Sequence, residues 1–260
     1  MNVWITGASS GLGEALARLY ASAGDQVCLS ARSGEKLESL NASLAQPGLV
    51  FPCDVTDNFA LTRTVEKMFE QVGELDIAIL NAGTYAESPL AELNTDDARA
   101  LFEVNFFSIV RSIELLVPHM SAPRPGHEPR DGHRHGHIVV ISSVAGDVGL
   151  PYAAIYSASK SALNRLCESL HPELEKQGIK ISVVSPGFIE TPLTAKNKFP
   201  MPFLISAPEA ARAIKTGIAN NRFEIRFPWS MSFIMRRLAR LPKGLLMKIT
   251  KRMLRKDESA

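Results

Sequence analysis

Short apolar runs alternate with longer segments of helical period along most of this chain. Runs rich in Val, Ile and Leu, without polar alternation, are typical of parallel strands covered on both faces. Their alternation with helices predicts a doubly wound α/β sheet with right-handed crossovers. The predicted strands are residues 2–6, 26–30, 49–53, 77–81, 137–142 and 180–185, with 223–227 as a seventh candidate.

Helical periodicity predicts the elements between these strands. The predicted helices are residues 12–23, 35–44, 58–72, 95–119 and 155–177. The chain has 260 residues, which fits one large α/β domain, and neither a composition break nor an internal repeat marks a boundary. We therefore predict a single Rossmann-type domain over residues 1–230, with about seven strands and helices on both faces. A basic amphipathic tail at residues 231–260 would follow it.

Cysteine usage, net charge and hydropathy restrict the class of protein. Cys28, Cys53 and Cys167 are far apart and form no C-x-x-C pair, so neither a disulfide framework nor a thiolate zinc site is expected. The net charge of +2 is too small to argue for nucleic acid as a partner. Strand residues begin at Asn2, and no uncharged apolar run reaches about 18 residues. These features predict a cytoplasmic protein.

A glycine-rich turn follows the first predicted strand, where residues 6–13 read TGASSGLG. Glycine permits the unusual backbone angles of a tight turn and the close approach of a phosphate. The following helix offers free N–H groups and the positive end of its dipole. The turn is therefore a candidate pyrophosphate site, although an ordinary strand-to-helix turn also uses glycine. Its candidate cofactor residues are Gly7, Ser9, Ser10, Gly11, Leu12 and Gly13.

Seven ordered motifs make the chain resemble the short-chain dehydrogenase/reductase family. They are the turn at residues 6–13, Asp54-Val55, Asn81-Ala82-Gly83, Asn105, Ser143, the Tyr156-to-Lys160 segment and Pro186-Gly187. The resemblance covers about residues 2–190. It implies a nicotinamide-dependent oxidoreductase that acts on a carbonyl or an alcohol.

The resemblance also implies individual contacts with the cofactor. Asp54 would hydrogen-bond the adenine edge and Val55 would pack on its ring, while Asn81 would steady the turn with Ala82 and Gly83 near the ribose. A second reading makes Asp54 the cap of the following helix.

After the sixth predicted strand, Pro186 and Gly187 would fix a turn. By the same resemblance, Ile189 and Thr191 would meet the nicotinamide amide and the phosphates. A plain strand-to-helix connection explains Pro186 and Gly187 equally well, but it has no special use for Thr191.

The end of the second predicted strand indicates which nicotinamide the chain binds. NAD sites usually place an acid there for the ribose 2′-hydroxyl, about 20 residues past the glycine turn. This chain has Arg32 instead, and Asp25 lies before the strand, at the wrong end. A guanidinium can bind a 2′-phosphate through paired hydrogen bonds, whereas a carboxylate would repel it. The pattern favours NADP(H), unless Arg32 is only a solvated loop residue.

Tyr156 and Lys160 form the predicted centre of catalysis. They stand four positions apart on a predicted helix, so that both side chains share one face. They follow the fifth strand, whose carboxyl end faces the cofactor crevice of an open sheet. A free phenol has a pKa of about 10, and a nearby ammonium stabilises the phenolate. We therefore predict that Tyr156 is the general acid in carbonyl reduction and the general base in alcohol oxidation.

Two more residues complete the predicted catalytic set. Ser143 should hydrogen-bond the substrate oxygen and stabilise its developing charge. Ser142 is the alternative, but its side chain should face the opposite side of the strand. The resemblance implies that Lys160 also holds the nicotinamide ribose. It further implies that Asn105 places a water in a proton relay, through a local irregularity of its helix.

One predicted loop bears on the substrate. By the resemblance, residues 193–208 correspond to the segment that covers substrate in this family. The apolar residues of this segment are Phe199, Met201, Phe203 and Leu204. They suggest an apolar carbonyl or alcohol, although such a loop also buries apolar side chains against its own domain.

Two long helices bear on oligomeric state. Residues 95–119 and 155–177 carry apolar side chains beyond those that one sheet face needs, namely Phe102, Phe106, Leu163 and Leu166. In the family the corresponding helices pair between subunits, and symmetric dimers are the commonest assembly. We therefore predict a homodimer or homotetramer.

Two segments interrupt the α/β pattern. Residues 121–136 are rich in Pro, Gly, Arg and His and predict an exposed loop. No carboxylate or cysteine pattern accompanies its histidines or His137, so no metal site is expected. The basic tail could lie on an anionic membrane surface. We expect it to pack on the domain instead, because Pro242 and Gly244 break its continuous face.

Two other functions remain open on this fold. An NADP(H)-sensing binding protein would keep the fold without turnover, but the complete set of Ser143, Tyr156 and Lys160 argues against it. A sugar-nucleotide epimerase also uses a Tyr/Lys pair. Such enzymes usually need a larger substrate domain than the residues after Gly187 provide.

Overall fold

The computed structural model describes residues 1–121, 136–197 and 199–254. Its strands are β1 (Asn2–Thr6), β2 (Gln26–Ser30), β3 (Leu49–Val50), β4 (Ile77–Leu80), β5 (His137–Ile141), β6 (Lys180–Pro186), β7 (Ile189–Glu190), β8 (Ile205–Ser206) and β9 (Glu224–Phe227). Seven of them form a parallel sheet in the order β3-β2-β1-β4-β5-β6-β9, and β7 pairs with β8 separately. The predicted seven-stranded parallel sheet is confirmed.

The helices of the described residues are α1 (Gly11–Ala21), α2 (Gly34–Ala42), α3 (Asn58–Val72), α4 (Thr95–Phe102), α5 (Ser108–Met120), α6 (Ala154–Lys176), α7 (Ala207–Ala219), α8 (Trp229–Ala239) and α9 (Lys243–Lys251). Helices α1, α2 and α7 share one apolar cluster with the sheet, and α3, α5 and α6 share another. In β1, Val3 and Ile5 face the first cluster and Trp4 faces the second. This burial on both faces explains the uninterrupted apolar strands.

The predicted strand at residues 49–53 is paired only at Leu49–Val50. The chain nevertheless stays beside β2, since the Phe51 amide donates to the Leu29 carbonyl at 2.8 Å and the Cys53 amide to the Ala31 carbonyl at 2.9 Å. Pro52 lies between them at the edge of the sheet, where its missing N–H faces away from β2 and costs no ladder hydrogen bond.

The predicted helix over residues 95–119 is interrupted at Asn105. Helix α4 ends at Phe102, a π-helical turn spans Glu103–Phe107, and α5 begins at Ser108. The widened turn carries Asn105 to the interior, where it is 0% exposed. The structure thus contains the helix irregularity that the family resemblance implied at this residue.

Helices α8 and α9 pack on the domain rather than standing away from it. Met231, Met235 and Leu246 are buried in a third apolar cluster with Val144 and Val148. Among the described residues, no helix is both long enough and apolar enough to span a membrane. The assignment of residues 231–260 to a separate tail remains a prediction.

The predicted histidine-rich loop falls mostly outside the described residues, and so do His127, His133 and His135. His137 lies in β5, is buried, and places Nε2 2.7 Å from the Ser182 hydroxyl. In the part of the chain that is described, no three His, Cys, Asp or Glu side chains gather as metal ligands would.

Candidate active site

The site lies at the carboxyl edge of the parallel sheet. The order of the strands reverses between β1 and β4, and ligands bind at such a switch point in open α/β sheets. The glycine turn follows β1, the Asn81-Ala82-Gly83 turn follows β4, and Ser143 follows β5. Since carboxyl ends of parallel strands share one edge, these motifs meet there.

The glycines of the first turn are required by its geometry. Gly7 and Gly11 have φ values of 65° and 57°, in the left-handed region that favours glycine. A Cβ on Gly13 would lie 2.2 Å from the Gly7 carbonyl oxygen, so α1 could not pack this closely on the turn. Ser10 precedes α1 and makes no side-chain capping hydrogen bond. The Ser10 side chain therefore accepts no hydrogen bond from the first backbone N–H groups of α1.

Thr6 and Asn81 lock the turn to the end of β4. The Thr6 hydroxyl accepts hydrogen bonds from the backbone amides of Asn81 at 2.9 Å and Ala82 at 3.0 Å. The Asn81 amide group donates to the carbonyls of Thr6 at 3.0 Å and Gly7 at 3.3 Å. Asn81 thus holds the glycine turn itself. The role of Thr6 was not predicted, and only its place at the strand end signals it.

Arg32 and Asp54 are both exposed at the outer part of this edge, near enough for the charge of Arg32 to act on Asp54. The Asp54 carboxylate accepts from the Thr56 amide at 3.0 Å and the Thr56 hydroxyl at 2.8 Å. The Thr56 amide and hydroxyl, together with the positive charge of Arg32, lower the pKa of Asp54 despite partial burial. Asp54 does not cap α3, because Asp57 does, by accepting from the Phe59 and Ala60 amides. Val55, which lies between Asp54 and Asp57 in the sequence, is buried.

The turn after β6 also returns to the glycine turn. Pro186 ends β6, and Ile189 is buried in the short pairing with β8. Thr191 lies against Gly11, where an added Cβ would meet its side chain at 3.1 Å. The structure therefore brings Thr191 beside the candidate phosphate site, which a plain connection does not require. Gly187 instead faces α8, since an added Cβ would lie 3.1 Å from the Met231 side chain.

Ser143, Tyr156 and Lys160 form one cluster. A hydrogen bond joins the side chains of Ser143 and Tyr156. The Lys160 ammonium lies 5.8 Å from the centre of the Tyr156 ring and donates to the Ile141 carbonyl at 2.9 Å. Ser143 precedes a 3₁₀ turn at Val144–Gly146, and its hydroxyl accepts from the Ala145 amide at 3.1 Å.

Burial changes the proton affinity of both ionisable groups. It raises the pKa of Tyr156, against the lowering effect of the Ser143 hydrogen bond. Burial also lowers the pKa of Lys160 to about 8, because it disfavours the charged ammonium. At neutral pH the tyrosine is therefore protonated and can act as an acid, while lysine is mostly charged.

Ser142 points away from this cluster. Its hydroxyl lies within donating distance of two oxygens of helix α6: the Asn164 side-chain oxygen at 2.6 Å and the Lys160 carbonyl at 3.1 Å. Of the two neighbouring serines, Ser143 is the one beside Tyr156.

The Asn105 side chain joins three segments around the cluster. Its oxygen accepts from the Thr84 amide at 2.8 Å, and its nitrogen donates to the Thr84 carbonyl at 2.9 Å. The same nitrogen lies 3.3 Å from the Ser159 hydroxyl, which in turn donates to the Tyr156 carbonyl at 2.8 Å. Asn105 therefore fixes the loop after β4 against the Tyr156 helix.

Tyr85 was missed by sequence reasoning. Its ring meets the Tyr156 ring edge to face, with centres 5.0 Å apart. Its position just after the Asn-Ala-Gly turn is the one available signal. Tyr152 has a φ of 62°, uncommon for a non-glycine residue, and its carbonyl accepts from the Ser88 amide at 2.8 Å.

Comparison with known proteins agrees with this geometry. Residues 1–200 match the short chain dehydrogenase family. An oxidoreductase of Myxococcus xanthus is 32% identical over 244 residues, covering 93% of this chain and 92% of that protein. The chain therefore belongs to the short-chain dehydrogenase/reductase family. As a member it is an oxidoreductase that uses a nicotinamide cofactor and acts on CH–OH or C=O groups.

Solved structures show the same fold. A short-chain dehydrogenase/reductase from Burkholderia phymatum, in complex with NAD, has a TM-score of 0.80 at 22% identity, covering 95% of this chain and 94% of that one. A short-chain dehydrogenase from Sphingobium yanoikuyae, in complex with NADPH, has a TM-score of 0.77 at 23% identity, covering 100% and 98%.

Proposed function

We propose that this protein is an NADP(H)-dependent reductase of an apolar carbonyl, running in reverse as a secondary-alcohol dehydrogenase. The observation that carries the proposal is the cluster of Ser143, Tyr156 and Lys160 at the edge that holds the glycine turn. A surface pair would not combine a buried lysine with a half-buried tyrosine that has a serine hydroxyl beside its phenol.

The residues present fit a bound dinucleotide. Gly7, Gly11 and Gly13 leave a cradle that side chains would fill. Arg32 is exposed at the end of β2, where a 2′-phosphate would lie, and it has Asp54 rather than a ribose-binding acid beside it. The similar structures contain NAD in one case and NADPH in another, so the choice of the phosphorylated form rests on Arg32.

The bound nicotinamide supplies the hydride in reduction and accepts it in oxidation. In reduction, Tyr156 would donate its phenolic proton to the substrate oxygen, and Ser143 would donate a hydrogen bond to that oxygen as negative charge develops. The Lys160 ammonium would stabilise the resulting phenolate. Asn105 would act through its backbone on a water of the proton relay, because its side chain is already engaged with Thr84.

The apolar character of the substrate is proposed from the covering segment. Phe199 and Met201 are half-buried, while Phe203 and Leu204 remain exposed. The Phe199 ring lies 5.9 Å from that of Phe188, next to Gly187. By the family resemblance, this segment would line the approach to the site with apolar side chains, some half-buried and some exposed.

We also propose a homo-oligomer, although the structure changes the set of apolar residues that could form its subunit contact. Leu163 is fully buried within its own chain, so it cannot serve a subunit contact. Phe102, Phe106 and Leu166 are half-buried, and Phe107 is 51% exposed on the same helical layer. Light scattering at micromolar concentration should give twice or four times the 28.4 kDa chain mass.

An anaerobic assay of NADPH oxidation against a panel of carbonyls tests the function. We expect turnover with apolar aldehydes or ketones, and slower turnover with NADH. NADPH binding without turnover on any carbonyl would instead favour a cofactor-sensing protein. Interconversion of sugar nucleotides without net cofactor oxidation would favour an epimerase.

A further inference from the structure

Helices α8 and α9 have one face packed on the domain and one face open to solvent. The packed face contributes Met231, Met235 and Leu246 to the cluster beneath them. The open face also carries large apolar side chains. Those more than two fifths exposed in this region are Trp229, Phe233, Ile234, Leu245, Met247, Met253 and Leu254. Packing of the tail on the domain accounts for the first set and leaves the second unexplained.

The same surface is strongly basic. The sequence has no Asp or Glu between Glu224 and Asp257, while it has ten Lys or Arg there. Seven of them are exposed on or next to the two helices: Arg236, Arg237, Arg240, Lys243, Lys248, Lys251 and Arg252. Since the whole chain has a net charge of only +2, the remainder of the protein is net acidic. The positive charge is therefore concentrated on the surface that also exposes the apolar side chains.

The aromatic residues of this surface are ordered against one another. The Trp229 and Phe233 rings stack at 5.4 Å with an angle of 24°, and the Arg237 guanidinium lies 4.9 Å from the centre of the Phe233 ring. Tryptophan is enriched at the level of lipid headgroups, where its ring is apolar and its N–H is hydrated. Arginine beside it can meet lipid phosphates through paired hydrogen bonds.

We propose that the open face of α8 and α9 docks on an anionic lipid surface. The apolar and aromatic side chains would enter the headgroup region while the seven cations meet anionic headgroups. A second copy of the chain fits this face less well. A two-fold contact places the same patch on both sides, so cations would oppose cations. The packed face touches Val144, next to Ser143, so docking would leave one helix layer, about 10 Å thick, between the lipid and the catalytic loop.

Tryptophan fluorescence offers a direct test, because the chain has only two tryptophans. Trp4 is 0% exposed and Trp229 is 77% exposed, so a change in solvent exposure reports on Trp229. Full-length protein is mixed with vesicles of phosphatidylcholine alone or with added phosphatidylserine. With anionic vesicles only, we expect a blue shift of the emission and co-sedimentation. Raising the ionic strength from about 0.05 M to about 0.5 M should weaken binding at least about tenfold.

Variants on the two faces of the molecule provide matched controls. The double variant Phe233→Ser with Arg237→Gln should lose binding at least about tenfold, because it removes one aromatic and one charge contact. Phe59 and Arg63 form a comparable exposed pair on α3, with the guanidinium 5.6 Å from the ring. Phe59→Ser with Arg63→Gln should bind vesicles like the parent. Trp229→Phe should lose the spectral shift but still co-sediment.

Three outcomes would overturn the proposal. They are no binding to anionic vesicles at low salt, equal binding to neutral vesicles, and equal losses in the tail variant and its α3 control. If light scattering shows an oligomer that the Phe233/Arg237 variant dissociates, and vesicles do not bind, a second copy covers this face instead.

Discussion

The glycine turn and helices α8 and α9, here called the cover, lie at the same edge of the sheet, but they are held by different forces. The turn is fixed by hydrogen bonds of about 3 Å from Thr6 and Asn81 and by approaches that only glycine allows. The cover is held by apolar side chains around Met231 and Met235. At Gly13 the first region has no room for one additional carbon atom, whereas the second region buries one face and leaves the other exposed to solvent.

One ion network joins the cover to the catalytic loop. Arg226 of β9 bonds both oxygens of Asp147, which directly follows the Ser143 turn, and lies 2.6 Å from Glu224. Glu224 also pairs with Arg236 of α8. The Arg226 side chain is 9% exposed and that of Arg236 is 54% exposed. The network therefore has a buried end at the catalytic loop and a solvated end at the cover.

The largest effect should come from breaking the buried end. Arg226→Gln leaves Asp147 without its cation, and loss of one partner from a buried pair costs about 3–5 kcal/mol. Arg236→Gln removes a solvated pair and should cost less than about 1 kcal/mol. Urea unfolding measures both values. Equal costs would show that the two ends of the network do not differ.

Two alanine substitutions compare the regions directly. In Gly13→Ala the new methyl would lie 2.2 Å from a backbone carbonyl oxygen, which should cost about 3 kcal/mol of unfolding free energy. In Gly244→Ala nothing lies within 4 Å, and alanine favours helix, so stability should rise by up to about 1 kcal/mol. Thermal unfolding of both variants measures these changes in stability. A Gly13→Ala variant as stable as the parent would contradict the contrast between the two regions.

These two regions also differ in how far the sequence predicts them. Strands 2–6 and 26–30 have the predicted bounds, and the glycine pattern identified the turn, because each glycine answers a local backbone requirement. The basic, amphipathic character of residues 231–260 was also predicted, but the burial of Met231 and Met235 against Val144 and Val148 depends on neighbours distant in sequence.

In the catalytic cluster, too, the sequence predicts local motifs but not contacts made through tertiary packing. Ser143, Tyr156 and Lys160 were predicted from motif spacing, and the structure brings them together. Tyr85 and the Arg226–Asp147 pair were not predicted, since residues that meet only through tertiary packing leave no periodic signal. The short β7–β8 pairing was missed for the same reason.

The Tyr156→Phe variant tests the proton-transfer role of Tyr156 apart from its packing role. The variant keeps the ring that packs on Tyr85 but removes the proton, so turnover should fall by at least about 10²-fold, the scale of lost acid catalysis. NADPH binding and the melting temperature should stay close to those of the parent. Normal turnover in this variant would remove Tyr156 from the mechanism.

Arg32→Ala tests the outer end of the cofactor site. Loss of a charge-assisted phosphate contact should cost about 1.5–3 kcal/mol, or about ten- to a hundredfold in NADPH affinity. Affinity for NADH, which lacks the phosphate, should change far less. Fluorescence titration with both cofactors measures this difference. Equal losses, or a parent protein that prefers NADH, would make Arg32 an ordinary loop residue.

Among the effects on turnover and cofactor binding, the pH dependence of reduction should be the smallest. Burial lowers the pKa of Lys160 to about 8, so its ammonium is present below that pH and is lost above it. Without the charge, the Tyr156 phenolate is less stabilised and the phenol gives up its proton less readily. One pH unit above the pKa about a tenth of the ammonium remains, so kcat/KM for reduction should fall about tenfold by then. NADPH affinity measured at the same pH values separates this effect from weakened binding. A kcat/KM that stays constant across this range would show that the charge of Lys160 does not assist proton transfer.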